Sequence, residues 1–236
     1  MVTNLIEQQS VREWFNKTYQ SRGLSYLRPQ EAYYVFLEIL KAKAGASILD
    51  VACGPGQLLK VAKEYKLDLH GVDISDIGIQ MAKEALPEAD LRVANAEQLP
   101  FANNSFDYIT CIGSLERMLH LPKVLQEIRR VSKADAEICF MVRNSNRASW
   151  KLVKEQLGII NKKGHQGANT LETWQQTFED AGFKVNNVLP DIWPSRRWAH
   201  WFSLGGKLFP VDYKKKEEAD DSIEFAYEFI FHLSLS

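Results

Sequence analysis

The sequence predicts an α/β protein built around an open, mostly parallel sheet. Short apolar runs that are typical of buried strands alternate along the chain with longer stretches of helical periodicity. The clearest unit is residues 48–60, in which an apolar strand enters a glycine turn and then an apolar helical stripe. At 236 residues the chain is long enough for one domain of this kind and too short for two full-sized ones, so we expect a single domain.

The balance of charge argues against a polynucleotide substrate. The chain has 29 Lys and Arg residues against 30 Asp and Glu residues, which gives a formal net charge of −1. Such a chain has no basic field to hold the phosphates of a nucleic acid. The spacings H-x-x-x-H and paired C-x-x-C are missing, so the sequence predicts no metal site.

The cysteines and the hydropathy pattern predict a soluble protein of the cytoplasm. Cys53, Cys111 and Cys139 fall in or beside apolar runs, as reduced core thiols do. No apolar run approaches the roughly 18 residues of a membrane span, and charged residues stand where a signal peptide would need an apolar stretch. We therefore expect neither stable membrane insertion nor processing.

The glycine turn after the first strand is suited to a nucleotide-like ligand. Gly54 and Gly56 let the backbone turn sharply and approach a ligand, and the following helix begins with free N–H groups. A dinucleotide fingerprint needs a third glycine at the position of Leu59, so a dehydrogenase is disfavoured. Instead an acid, Asp50, ends the strand four residues before Gly54.

The acid and the two glycines resemble the first motif of the class I S-adenosylmethionine-dependent methyltransferases; an ordinary α/β glycine turn is the alternative. Leu-Pro-Phe at 99–101 and Ser-Phe-Asp at 105–107 resemble the small-molecule, type-11-like branch of that family. The resemblance covers a cofactor-binding core at residues 46–190. It implies a Rossmann-like three-layer α/β/α sandwich with a seven-stranded, mostly parallel sheet. The antiparallel last strand, residues 223–236, would be inserted between the fifth and sixth.

The resemblance also implies a cofactor and a reaction. The cofactor would be S-adenosyl-L-methionine, and the reaction a methyl transfer to a small-molecule acceptor by in-line displacement. The alternative is an accessory protein that binds S-adenosylmethionine without turnover. Methyl-labelled cofactor separates the two, because only an enzyme moves the label to an acceptor. The sequence predicts neither the acceptor nor the oligomeric state.

The residues predicted to bind the cofactor follow the first four strands. Asp73 ends the second strand, where its two carboxylate oxygens can accept from both ribose hydroxyls; capping the helix at about residues 76–86 is its alternative role. Asn95 stands where the family often has an Asp, and its carbonyl can accept from the adenine amino group. The predicted cofactor-binding residues are Asp50, Ala52, Gly54, Gly56, Gln57, Asp73, Ile74, Asn95, Ala96, Glu97, Ile112 and Gly113.

Three residues are candidates for a catalytic role, and none is assigned one. Relatives often read Leu-Glu-His after the fourth strand, but Arg117 replaces that histidine here. His120 could serve as a base in its place, with a helix cap or a surface residue as the alternative. Tyr19 belongs to a polar and aromatic link, residues 19–29, that could reach the pocket. In-line displacement mainly requires that the protein align the acceptor atom with the methyl carbon and exclude water from the site. A general base is therefore needed only when the acceptor is a hydroxyl or an acidic carbon.

Two segments are predicted to cover the acceptor. Segments before the first strand commonly fold over the site in this family, so residues 1–44 are expected to form a helical cap; a solvated link between its helices is the alternative. Residues 190–222 are an aromatic insertion whose helical stripe predicts a lid, with plain core packing as the alternative. The acceptor-binding candidates are Tyr26, Arg28, Trp193, Arg197, Trp198 and Trp201.

Overall fold

The computed structural model describes residues 2–146, 167–191, 223 and 226–236. These residues form a seven-stranded sheet with the order β3-β2-β1-β4-β5-β7-β6. The strands are β1 Ser47–Val51, β2 Asp68–Asp73, β3 Asp90–Val93, β4 Phe106–Ile112, β5 Ser132–Arg143, β6 Phe183–Pro190 and β7 Glu228–Leu235. The first five strands pair in parallel, and β7 is antiparallel to both β5 and β6. The predicted fold class, with its antiparallel last strand between the fifth and sixth, is confirmed.

Helices cover both faces of this sheet. They are α1 Val2–Arg22, α2 Tyr34–Leu40, α3 Gln57–Glu64, α4 Asp76–Ala85, α5 Leu121–Val131 and α6 Leu171–Asp180. Buried side chains of α2, α3 and α4 share one hydrophobic core, and those of α5 and α6 share a second core. No helix of the described residues is long and apolar enough to cross a membrane.

Alternating strand residues supply the two cores. Ile48 of β1 packs in the first core and Leu49 in the second, and in β7 Ile230 and Phe231 divide in the same way. The sequence pattern predicts one well-buried face for the last strand, and Phe229, Phe231 and Leu233 are buried on that face. On the other face Ile230 is buried, whereas Glu228, His232 and Ser234 are half-buried.

Some element boundaries differ from the sequence prediction for reasons of pairing. β7 begins at Glu228 rather than at Ile223, because its first partner is Arg143, the last residue of β5. The apolar run 138–142 predicts a fifth strand from Glu137, but β5 begins at Ser132, because Ser132 already pairs with Phe106 at the start of β4.

The order of the strands creates a crevice at one edge of the sheet. β1 pairs with β2 on one side and with β4 on the other, both in parallel. The chain therefore leaves β1 in one direction and β4 in the other, and the two connections diverge at the carboxyl ends of these strands. Such a switch point is where open α/β sheets bind ligands.

Gly71 in β2 has no room for a side chain. A Cβ there would lie 2.9 Å from Cys53 Sγ, Leu59 Cδ1 and Leu91 Cδ2. We predict that Gly71→Ala lowers the free energy of unfolding by about 1–3 kcal/mol, the usual cost of an extra methyl group in a packed core. Urea unfolding followed by circular dichroism measures it. An unchanged midpoint would mean that β2 moves aside without cost.

Candidate functional site

The turn after β1 has a left-handed backbone conformation at three positions and faces the end of β2. Ala52, Gly54 and Gly56 all have positive φ angles, of 60°, 50° and 76°. Cys53 N–H donates to Val72 O at 2.9 Å, which ties the turn to the neighbouring strand. A Cβ on Gly54 would lie 2.6 Å from the hydroxyl of Tyr19, so only glycine allows α1 to approach this closely.

Ala52 is a residue whose strain the sequence did not reveal. Its φ of 60° lies in the left-handed region that glycine occupies freely and alanine does not. The sequence indicated that Gly54 and Gly56 need this freedom, whereas Ala52 carries a Cβ and gives no such signal.

Asp73 binds the turn and leaves acceptor capacity for a ligand. Its Oδ2 accepts from Gly54 N–H at 2.8 Å and its Oδ1 from Ser75 N–H at 2.7 Å. Each carboxylate oxygen keeps a further lone pair. Burial raises the pKa of Asp73 to about 6. Ser75, not Asp73, caps α4, because its hydroxyl accepts from Gly78 N–H at 3.0 Å; the capping role considered for Asp73 is therefore wrong.

Asp50 is a second buried acid at the same edge. Its Oδ1 accepts from the Thr110 hydroxyl at 2.7 Å across the β1–β4 pair. Burial raises the pKa of Asp50 to about 7, and the nearby charge of Asp73 adds to the rise. A positively charged group beside Asp50 would restore its ionised form.

A first cavity lies above the ends of β2 and β3. Asp73, Ile74 and the stretch 95–97 line it, together with Phe15 and Tyr19 of α1. The structure thus brings together the residues predicted to bind ribose and adenine.

Within this cavity, the polar side chains of Asn95 and Glu97 are held by neighbours. Asn95 Oδ1 accepts from Glu97 N–H at 3.0 Å and keeps a second lone pair. The Glu97 carboxylate pairs with His120 Nδ1 at 3.2 Å.

A second cavity, of about 1100 Å³, lies above the ends of β1, β4 and β5. Asp50, Ala52, Gly54 and Gln57 line it from the side of the turn, and Ile112 and Gly113 from β4. Tyr26 and Arg28, two of the residues predicted to bind the acceptor, border its other side. The two cavities meet where both are lined by the same residues, Phe15, Tyr19, Ala52, Ser114 and Arg117.

The three catalytic candidates occupy different positions. Tyr19 and Arg117 stand where the cavities meet, and the Arg117 guanidinium lies 5.7 Å from the ring centroid of Phe15. Burial raises the pKa of the Tyr19 hydroxyl well above its usual value, so it stays protonated. Among the described residues that line either cavity, His120 is not found; it precedes α5 and pairs with Glu97.

Arg28 borders the second cavity but has partners within the protein. Its Nη2 lies 3.0 Å from Asp191 Oδ2 and 2.9 Å from Glu228 Oε2. A further contact joins Nη2 to Met141 Sδ at 3.1 Å. These carboxylates raise the pKa of Arg28, which stays charged.

Sequence reasoning missed Arg143, Asp191 and Glu228, all of which stand at strand ends of this edge. Arg143 ends β5, Asp191 follows β6 and Glu228 begins the antiparallel β7. A charged residue at each of these positions was a usable signal once β7 was placed antiparallel. Four predicted acceptor-binding residues, Trp193, Arg197, Trp198 and Trp201, lie outside the described residues.

The raised pKa of Asp50 predicts a pH-dependent stability. An unfolded Asp has a pKa of about 3.9, so the folded chain holds this proton more tightly. The contribution is full below about pH 4 and is lost as the pH rises to about 7. Asp50→Asn cannot ionise, and its amide oxygen can still accept from Thr110. We expect this variant to exceed the original chain in unfolding free energy by at least about 1 kcal/mol at pH 8, since one pKa unit corresponds to about 1.4 kcal/mol.

Urea titrations at pH 5 and pH 8 measure this effect, and the gain should shrink at pH 5. Asp68→Asn, at the exposed start of β2, is the matched control and should show no such gain. If the unfolding free energies of the Asp50→Asn variant and the original chain depend equally on pH, the pKa of Asp50 is not raised in the folded chain.

Comparison with known proteins supports one family. Residues 49–140 match the family Methyltransf_11, described as a methyltransferase domain. A demethylmenaquinone methyltransferase of Listeria welshimeri is 32% identical over 126 residues, which cover 50% of this chain and 53% of that protein. An uncharacterized protein of Methanocaldococcus jannaschii, MJ1252, is 34% identical over 151 residues, covering 61% and 56%. The chain thus spans about half the length of the curated relatives it matches.

Solved structures share the fold over more of the chain. The [4+2]-cyclase SpnF superposes with a TM-score of 0.64 at 19% identity, covering 87% of this chain and 80% of that one. The phosphoethanolamine N-methyltransferase 2 of Haemonchus contortus, solved with phosphomonomethylethanolamine and S-adenosylhomocysteine, gives 0.66 at 17% identity, covering 96% and 60%. At these identities the likeness shows the fold. Residues 49–140 therefore match a methyltransferase domain family, and the sheet in which they lie has the fold that these solved structures share.

Proposed function

We propose that this protein transfers a methyl group from S-adenosylmethionine to a small-molecule acceptor by in-line displacement. The observation that supports this most directly is the meeting of two cavities at Tyr19, Ser114 and Arg117. The first cavity has the polar groups that an adenosyl group needs. The second has room beyond the cofactor for another molecule.

The residues present fit the cofactor. Asp73 would hold the ribose hydroxyls through its remaining lone pairs, and residues 95–97 the adenine edge. Asp50 would face the positively charged methionine portion, which suits a buried acid with a raised pKa. Gly54, with no space for a Cβ, and Gln57 would complete the turn around it.

The bound cofactor supplies a methyl group already activated by its sulfonium. The protein then has to align the acceptor and exclude water. Tyr19 is suited to the second task, because it lies over the turn at the point where the cavities meet. As a protonated phenol it would donate a hydrogen bond and not act as a base. Arg117, at the same point, would orient an oxygen or an anionic group of the acceptor.

The acceptor would occupy the second cavity beside Tyr26 and Arg28. We further propose that residues 190–222 cover it as a lid, with Trp193, Arg197, Trp198 and Trp201 as its contacts, and that residues 1–44 form the opposite cap. The cytoplasm is the proposed compartment, because Cys53, Cys111 and Cys139 are all buried free thiols. With a net charge of −1 the chain has no field suited to nucleic acid.

The decisive experiment is incubation of the whole chain with methyl-labelled S-adenosylmethionine and a fractionated small-metabolite extract. We expect label in a low-molecular-mass product, with release of S-adenosylhomocysteine. Binding of the cofactor without any transfer would favour the accessory role instead. Failure of the cofactor to bind at all would contradict both functions.

Removal of the Asp73 carboxylate should weaken cofactor binding. We predict that Asp73→Ala raises the Kd for S-adenosylmethionine and S-adenosylhomocysteine alike, by roughly tenfold or more, because hydrogen bonds to a charged group contribute about 1.5–3 kcal/mol each. Calorimetric titration measures both. Asp68→Ala, at the other end of β2, is the matched control and should bind normally. Unchanged affinity in a folded Asp73→Ala variant would remove Asp73 from the site.

A further inference from the structure

One end of the second cavity holds a group of five charged side chains. They are Arg28, Glu116, Arg143, Asp191 and Glu228, and we call them the charged cluster. Two of them are cations and three are acids. Arg28 Nη2 lies 2.9 Å from Glu228 Oε2 and 3.0 Å from Asp191 Oδ2, and a second contact joins Nη1 to Asp191 Oδ1 at 3.4 Å.

Among the described residues, the cluster has three acids against two cations. Arg143 Nε lies 3.4 Å from Glu116 Oε1 and 3.7 Å from Glu228 Oε1, so one guanidinium stands between two carboxylates. Arg117 adds a cation nearby, but its guanidinium lies over Phe15, where the two cavities meet. In the part of the chain that the structure describes, the acids at the inner end of the cavity therefore outnumber its arginines.

The hydrogen bonding and the pKa values of Glu116 and Glu228 agree with this excess of acid. Both Glu116 carboxylate oxygens are buried without a hydrogen-bond partner. Burial raises the pKa of Glu116, and it raises the pKa of Glu228 to about 7 in spite of Arg28. A buried site of this kind takes up either a proton or another cation.

Glu228 is the acid of the cluster that a ligand can reach. It lines the second cavity, and its side chain is 17% exposed against 2% for Asp191 and 0% for Glu116. Tyr26, Tyr33 and Tyr227 line the same cavity. Tyrosine rings attract cations through their electron-rich faces, which adds to the effect of the carboxylate.

The position of Glu228 separates it from the reacting end. β7 lies two strands away from β4, beyond β5, and neighbouring strands are about 4.8 Å apart. A group bound at Glu228 is therefore on the order of 10 Å across the sheet from the end of β4, where Gly113 and Ser114 lie. It would serve for recognition and would not be the atom that is methylated.

We propose that the acceptor carries a protonated amine, which this end of the cavity binds with the Glu228 carboxylate as counter-ion. The proposal rests on the proposed function, since it names the class of acceptor for the same site. It makes Glu228 a residue that determines specificity.

Three aromatic probes that differ at one end test the charge preference. Tyramine carries an amine, 4-ethylphenol has no charge, and 3-(4-hydroxyphenyl)propionate carries a carboxylate. Each is titrated calorimetrically into the whole chain saturated with S-adenosylhomocysteine. We expect tyramine to bind at least roughly tenfold more tightly than 4-ethylphenol, as for a charged hydrogen bond, and the carboxylate to bind most weakly.

Two matched variants assign the preference to one residue. Glu228→Gln should reduce tyramine binding to the level of 4-ethylphenol and leave 4-ethylphenol unchanged. Glu137→Gln, also on this sheet but paired with His232, should bind all three probes as the original chain does. If Glu228→Gln does not fold, the order of the three affinities on the original chain still shows whether the cavity prefers an amine.

Preference for the carboxylate, equal binding of the three probes, or no binding of any would overturn the proposal. So would a Glu228→Gln variant that binds S-adenosylhomocysteine and keeps full affinity for tyramine. Saturation with S-adenosylhomocysteine separates this failure from failure of the proposed function. A chain that does not bind S-adenosylhomocysteine contradicts the proposed function, whereas one that binds it and rejects tyramine contradicts only the amine proposal.

Discussion

The hydrogen bond from Gly54 N–H to the Asp73 carboxylate is the contact on which the site depends. It joins the turn after β1 to the end of β2 across a distance of 2.8 Å, between two buried residues. An unpaired backbone N–H is costly there, so the bond fixes the turn in its left-handed conformation. The same carboxylate then sets the start of α4 through Ser75 N–H. The floor of the first cavity follows from these two contacts.

Three of the acids that line the two cavities are buried at a cost in stability to the protein without ligand. Asp50, Asp73 and Glu228 all have raised pKa values, because burial disfavours their charged forms. Such buried acids lower the stability of the protein without ligand. A ligand that pairs with the carboxylate offsets this cost and binds more tightly as a result. The left-handed φ of Ala52 also lowers the stability of the protein at this edge of the sheet.

The sequence predicts the features that depend on neighbouring residues, such as strands and turn motifs. It does not predict contacts between side chains that are far apart along the chain. The apolar run 106–112 is bounded by polar turns and by itself predicts a strand with the bounds that β4 has in the structure. Asp50, Asp73 and residues 95–97 were predicted to share a site, because parallel strands bring their carboxyl ends to one edge, and the structure brings them there. Arg28 was predicted near the acceptor, but its partners Asp191 and Glu228 are 163 and 200 residues away in the sequence. No periodicity encodes such a contact, and the only signal in the sequence was a charged residue at each of these strand ends.

The pairing of Arg28 also bears on how this domain could change its acceptor. Asp191 N–H donates to Glu228 O at 2.9 Å, and the two side chains share one guanidinium. The residues between them therefore start and finish at a fixed junction on the sheet, held by the Arg28 guanidinium. The entropy cost of closing a loop grows only slowly with its length, by about 0.6 kcal/mol for each doubling. Segments of different length and composition can then be exchanged between these two ends at little cost to folding, while the sheet keeps its place.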